Sequence, residues 1–96
     1  MTLQDLRTTR REAILETASR RGARRVRVFG SVVRGDNRSD SDVDFLVEME
    51  PVRTLFDLSG LVLDLETLLG SPVDVVTENG LSSRIRDRVL TEAVPL

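Results

Sequence analysis

Gly30-Ser31-Val32-Val33-Arg34-Gly35-Asp36-Asn37-Arg38-Ser39-Asp40-Ser41-Asp42-Val43-Asp44 is the stretch on which the reading of this chain turns. Before it, Arg24 to Phe29 reads as a short strand, with Val26 and Val28 on one face and arginines on the other. After it, Val43, Phe45 and Val47 alternate in the same way. In an extended strand residues i and i+2 point to the same side, roughly 6.6 Å apart. Asp42 and Asp44 therefore project together. Two carboxylates that close are costly to ionise without a cation between them, and hard oxygen ligands suit magnesium or manganese. Gly30, directly after an apolar strand, lets the backbone bend sharply and approach a ligand. Ser31 is placed to cap a short segment from Val32 to Gly35, offering its hydroxyl and backbone N–H groups to phosphate oxygens. Arg34, one turn further on, adds a positive charge for the same phosphates.

A plainer reading makes residues 36–41 a solvated loop and the two aspartates an exposed strand face. Aspartate is depleted in strands. Two of them flanking Val43 in an otherwise apolar run break a local rule without visible compensation, which is where a functional site is expected.

Gly30-Ser31, ten residues, then Asp42-x-Asp44 resembles the signature of the polymerase-β-like nucleotidyltransferase superfamily. The full run from Gly30 to Asp44 resembles its minimal nucleotidyltransferase branch. The closing segment, Leu81-Ser82-x-Arg84-Ile85-Arg86-Asp87-Arg88-Val89-Leu90 to Ala93-Val94-Pro95-Leu96, is similar to minimal nucleotidyltransferase antitoxins. The superfamily places a third acidic residue on a neighbouring strand, and Asp74 in Val73-Asp74-Val75-Val76 is the position that matches. The resemblance implies catalytic, metal-holding roles for Asp42, Asp44 and Asp74 with two magnesium ions, manganese being an alternative. It assigns Gly30, Ser31 and Arg34 to the nucleotide phosphates.

Composition narrows the chemistry from another side. The 96 residues allow one domain near the size where a single core just suffices. With 40% hydrophobic and 31% charged residues the chain reads as globular rather than disordered. It has no cysteine and no histidine, which excludes thiol nucleophiles, Ser-His-Asp triads, disulfides and the usual zinc sites. Catalysis must then run on carboxylates, arginine, hydroxyls, backbone and metal. No apolar run is long enough to span a membrane and the N-terminus lacks the apolar core of a signal peptide, so a cytoplasmic protein is expected.

The net charge of −2 hides an asymmetry. Met1 to Phe29 holds eight arginines against three acids, whereas Asp36 to Glu78 holds eleven acids against two arginines. The arginine-rich segment is the one feature favouring nucleic acid or an acidic partner. With no aromatic residues available for base stacking, it reads instead as a solvated helix face.

The remaining elements follow in order. Thr2-x-x-Asp5 forms a capping box for a helix running to about Arg20 or Arg21, and Gly22 stops it. Thr54-x-x-Asp57 opens a second helix, in which Leu55, Leu58, Val62, Leu65 and Leu69 recur every three or four residues, with Leu61 and Leu68 widening the stripe. Gly70 ends it. Asp57, Asp64 and Glu66 read as its wet face, without chemistry. Asn79-Gly80 turns the chain into a last helix capped by Ser82 or Ser83, with Ile85, Val89 and Ala93 on one face and Pro95 as its stop. The expected fold is α/β, a small mixed sheet of about three strands flanked by helices, in a single domain over residues 1–96.

The expected activity, by resemblance, is transfer of AMP from ATP to a tyrosine hydroxyl of a partner HEPN-domain toxin. The chain would be the antitoxin of the pair, in a hetero-oligomer with its target. Two other readings stand beside it. One is a decayed antitoxin acting by binding alone; the other is a nucleotidyltransferase acting on a small molecule or RNA.

Overall fold

The computed structural model describes residues 1–38 and 40–96; Ser39, within the connecting loop expected over 36–41, lies outside the described residues. The chain opens with two short helices, α1 (Leu3–Arg7) and α2 (Arg11–Arg20). The expected capping box is present, Thr2 accepting from the Asp5 N–H and Asp5 accepting from the Thr2 N–H. The single long helix expected here is split. Thr8 leaves helical geometry and donates its hydroxyl to the Gln4 carbonyl at 2.7 Å, the back-bonding by which threonine competes with the helix ladder.

Strand β1 (Ala23–Phe29) leads into the four-residue helix α3 (Ser31–Arg34), then β2 (Val43–Met49). Helix α4 (Leu55–Leu69) crosses over to β3 (Val73–Thr77), and α5 (Ser83–Glu92) returns to a two-residue strand β4 (Val94–Pro95). The sheet order is β3-β2-β1-β4. β2 runs antiparallel to β1 and parallel to β3, so the sheet is mixed, as expected, with four strands rather than three. Pro95 does not merely stop a helix. Residues 94–96 lie against β1, the Leu96 N–H donating to Val26 at 3.2 Å.

The main core lies between one face of the sheet and the helices. Val26, Val28, Val43, Phe45, Val47, Val73 and Val75 meet Leu6, Ile14, Ala18, Leu61, Leu65 and Leu69 there. Leu55, expected in the α4 stripe, is instead 79% exposed, with Phe56 at 88% and Val52 at 83%. An aromatic side chain is therefore available at the surface, contrary to expectation. It stands on the helical layer and not on the acidic face of the sheet. The acids of α4, expected on its wet face, are half-buried and each is bonded within the fold: Asp57 completes the Thr54 capping box, Asp64 pairs with Arg21 at 2.8 Å, and Glu66 accepts from the Val73 N–H.

The arginine side of β1 is less uniform than its alternation suggests. A register shift falls between Arg24 and Arg27, and Arg25 takes a positive φ of 50°, the signature of a bulge. Arg27 is largely buried and pairs with Glu78 at 2.6 Å. No helix among the described residues is long and apolar enough to cross a membrane.

Candidate active site

The site is built by strand register. The antiparallel pairing sets Phe29 opposite Asp44, so the chain turns at Gly30 immediately beside that carboxylate. The parallel pairing sets Asp74 opposite Asp44 on the other side. Neighbouring strands lie about 4.8 Å apart, and side chains directly paired share one face. This is the face turned away from the main core, since Val43, Phe45, Val73 and Val75 point the other way. Asp42 precedes β2 and is exposed, as is Asp74, whereas Asp44 is half-buried between them.

The electrostatics record the crowding. Burial, then the charges of Asp74 and Asp42, push Asp44 from the ordinary 3.8 up to about 6, with Arg34 pulling it down and Glu92 raising it slightly. The three aspartates singled out in the sequence are thus brought together, and a cation would relieve their repulsion. Among the described residues no three acidic side chains converge closely enough to hold an ion on their own. Magnesium needs only one or two carboxylates and fills its shell with water and substrate phosphates, and carboxylate oxygens are donors of the kind it takes.

Gly30 takes φ 80°, ψ −154°, a region essentially reserved for glycine. A Cβ built there would fall inside the Asp44 carboxylate. Gly30→Ala is therefore expected to cost roughly 1–3 kcal/mol in strain and to displace Asp44. Thermal unfolding together with nucleotide titration checks it, and an unchanged midpoint with unchanged affinity would contradict the packing.

Ser31 does not cap the segment after it, as expected from sequence. It is the first residue of α3, Gly30 is the N-cap, and no side-chain cap bond is made. The N–H groups of Val33 and Arg34 donate to the Gly30 carbonyl. Those of Ser31 and Val32, in the first turn, have no acceptor within α3. The Ser31 hydroxyl stays at the turn, without a cap to make. Arg34 is half-exposed and already engaged, its Nη1 with Glu92 at 2.6 Å and its Nε with Asp36 at 3.4 Å.

Glu92, at the end of α5, was not singled out in the sequence. Nothing local distinguishes it from other helix-end acids, and its partner Arg34 is 58 positions away. A cavity of about 350 Å³ lined by Arg25, Arg27, Glu48, Thr77, Glu78 and others contains none of these site residues. The acidic face is open rather than enclosed, and its geometry, not the cavity, marks the site.

Residues 11–96 match the family model described as a nucleotidyltransferase domain. The chain belongs to the nucleotidyltransferase domain family. This nucleotidyltransferase domain is 40% identical over 94 residues to the protein adenylyltransferase MntA of Thermococcus cleftensis, covering 98% of this chain and 95% of that one. It is 57% identical to a solved structure described as a minimal nucleotidyltransferase, with TM-score 0.86 over 100% of this chain and 97% of that one. A toxin–antitoxin structure with AMP-PNP shares the fold at TM-score 0.75 and 22% identity, over 88% of this chain and 69% of that one. The nucleotidyltransferase fold expected from Gly30 to Asp44 is the fold observed.

Proposed function

We propose that this protein is a magnesium-dependent protein adenylyltransferase. It transfers AMP from ATP to a tyrosine hydroxyl of a partner HEPN-domain toxin and so acts as the antitoxin of the pair. The observation that carries this reading is the in-register pair Asp44 and Asp74, flanked by Asp42 and the Gly30-Ser31 turn on one open face. The 40% identity to a protein adenylyltransferase along nearly the whole chain supports the same chemistry.

Asp44, with Asp42 or Asp74 beside it, would hold the magnesium, and water and the substrate phosphates would fill the rest of its shell. When bound, the ion neutralises phosphate charge and lowers the pKa of the attacking hydroxyl. Ser31, the first-turn N–H groups of α3 and the Arg34 guanidinium bind and orient the triphosphate. The phenol oxygen attacks the α-phosphorus; the bond from that phosphorus to the oxygen bridging to the β-phosphate breaks, and pyrophosphate leaves. Asp74, exposed at the edge strand, takes the phenolic proton. The open face leaves room for an acceptor that brings its own surface, and the AMP added to the toxin is a bulky anion that repels RNA phosphates.

The test incubates this protein with ATP, magnesium and the HEPN-domain toxin proposed as its partner, followed by intact mass. A gain of one or more AMP units is expected, with none in the Asp42→Asn/Asp44→Asn double variant. Calorimetry should show ATP binding that requires the divalent ion and is lost in the same variant. An unchanged toxin mass with active wild-type protein rejects the reaction. A double variant that still protects cells from the toxin points to neutralisation by contact alone.

A further inference from the structure

Glu92 is a fourth carboxylate, close enough for its charge to reach Asp44. Its side chain is only 16% exposed, and its charge adds to what raises Asp44. An acid buried beside acids is a cost unless it is paired. Its partner is Arg34, held at 2.6 Å through Nη1. The guanidinium is therefore gripped from two sides, by Asp36 in its own loop and by Glu92 from α5. Arginine carries five N–H donors in a planar fork. One Nη1 donor and Nε are used, and the Nη2 donors are left over, on a group whose charge reaches Asp44.

Fixing such a fork before a phosphate arrives lowers the rotamer entropy lost on binding. We propose that Glu92 is a positioning residue for nucleotide binding: by holding one arm of Arg34, it aims the remaining donors at the nucleotide phosphates. Glu92 does not touch the nucleotide. It acts through Arg34 and ties the last turn of α5 to the acidic face. This inference rests on the adenylyltransferase reading above, in which Arg34 serves the triphosphate.

The pair predicts a particular kinetic pattern. Glu92→Ala frees Arg34 and should raise KM for ATP about tenfold, in the range found when a supporting partner is lost, with kcat changed less than about twofold. Glu92→Gln keeps an oxygen acceptor for Nη1 and should recover most of the affinity. Arg34→Ala should match or exceed Glu92→Ala, and the double variant should be no worse than Arg34→Ala alone, because the two act as one unit. Calorimetry with AMP-PNP and magnesium reads the same affinities without turnover, and thermal midpoints run alongside.

A purely structural role would lower the midpoint of Glu92→Ala while leaving KM and AMP-PNP affinity unchanged; that result, or additive single effects, overturns the proposal. Glu92→Gln, close to isosteric, keeps the test open if Glu92→Ala does not fold, and a Gln variant as weak as Arg34→Ala counts against it. Wild-type protein that binds AMP-PNP but transfers nothing sinks the reaction and leaves Glu92 to be judged by calorimetry. Wild-type protein that does not bind AMP-PNP overturns both.

Discussion

Asp44→Asn is expected to abolish AMP transfer and, in metal-free protein, to stabilise the fold. The loss of transfer should be at least about 10²–10³-fold, since the substitution removes a carboxylate proposed to hold the ion that neutralises phosphate charge. The gain in stability follows from linkage. Asp44 has its carboxyl raised from 3.8 to about 6 by burial and by Asp74 and Asp42. The native state therefore holds that proton more tightly than the unfolded chain, and ionising the group works against folding. The penalty is absent below about pH 4, grows as pH rises through about 6, and is complete above that. Asparagine does not ionise, so the variant should gain on wild type as pH rises across that window, by about 1 kcal/mol once solvent screening is allowed for. Denaturant midpoints at pH 4, 5, 6 and 8 in chelator, paired with transfer assays in magnesium, check both halves. An Asn variant destabilised equally at pH 4 and pH 8 would mean that Asp44 packs rather than repels.

Phe45→Ala should have the largest effect on stability. Phe45 is fully buried at the middle of β2, which pairs with strands on both sides. Truncating a buried phenylalanine costs about 3–5 kcal/mol through lost transfer energy and the cavity left behind. A chain of this length is stable by only about 5–14 kcal/mol. The midpoint should fall roughly 15–30 °C, and the site should weaken with it, because Asp44 immediately precedes Phe45 on the same strand. Phe45→Leu, closer in volume, should cost less than about 1.5 kcal/mol. Thermal and urea unfolding followed by circular dichroism separates these outcomes. A fall of only a few degrees for Phe45→Ala would mean that the core collapses around the hole.

Most of the acidic face is legible in the sequence. The ten-residue spacing between Gly30-Ser31 and Asp42, and an aspartate breaking each of two apolar strands, are local patterns that survive without tertiary context. Register was not legible: that Asp44 faces Asp74 rather than Val73 or Val75 depends on how α4 returns the chain. The exposure of Leu55 is not legible in the sequence, because helical periodicity marks a stripe but not how far the stripe is covered. A 15-residue α4 is roughly 22 Å long, whereas the five-residue β3 beneath it spans about 16 Å, so the first turn overhangs. Strand β4 leaves no trace in the sequence, because two residues, one of them proline, carry no alternation at all. The break at Thr8 left a clue in the Thr8-Thr9 pair, two β-branched hydroxyl residues inside a helical pattern.

The register of Asp44 against Asp74 also governs how this chain can change in length. Between the end of α4 and the start of β3 stand only residues 70–72. A deletion there that pulls β3 along by one residue would turn a valine toward the acidic face and Asp74 in under α4. A slide of two would restore the face but move the carboxylate by roughly 6.6 Å. Insertions and deletions across this short connection are therefore filtered by parity as well as by packing, whereas the turn after β2, around Pro51 and Val52, can grow or shrink without touching the alignment of the two aspartates.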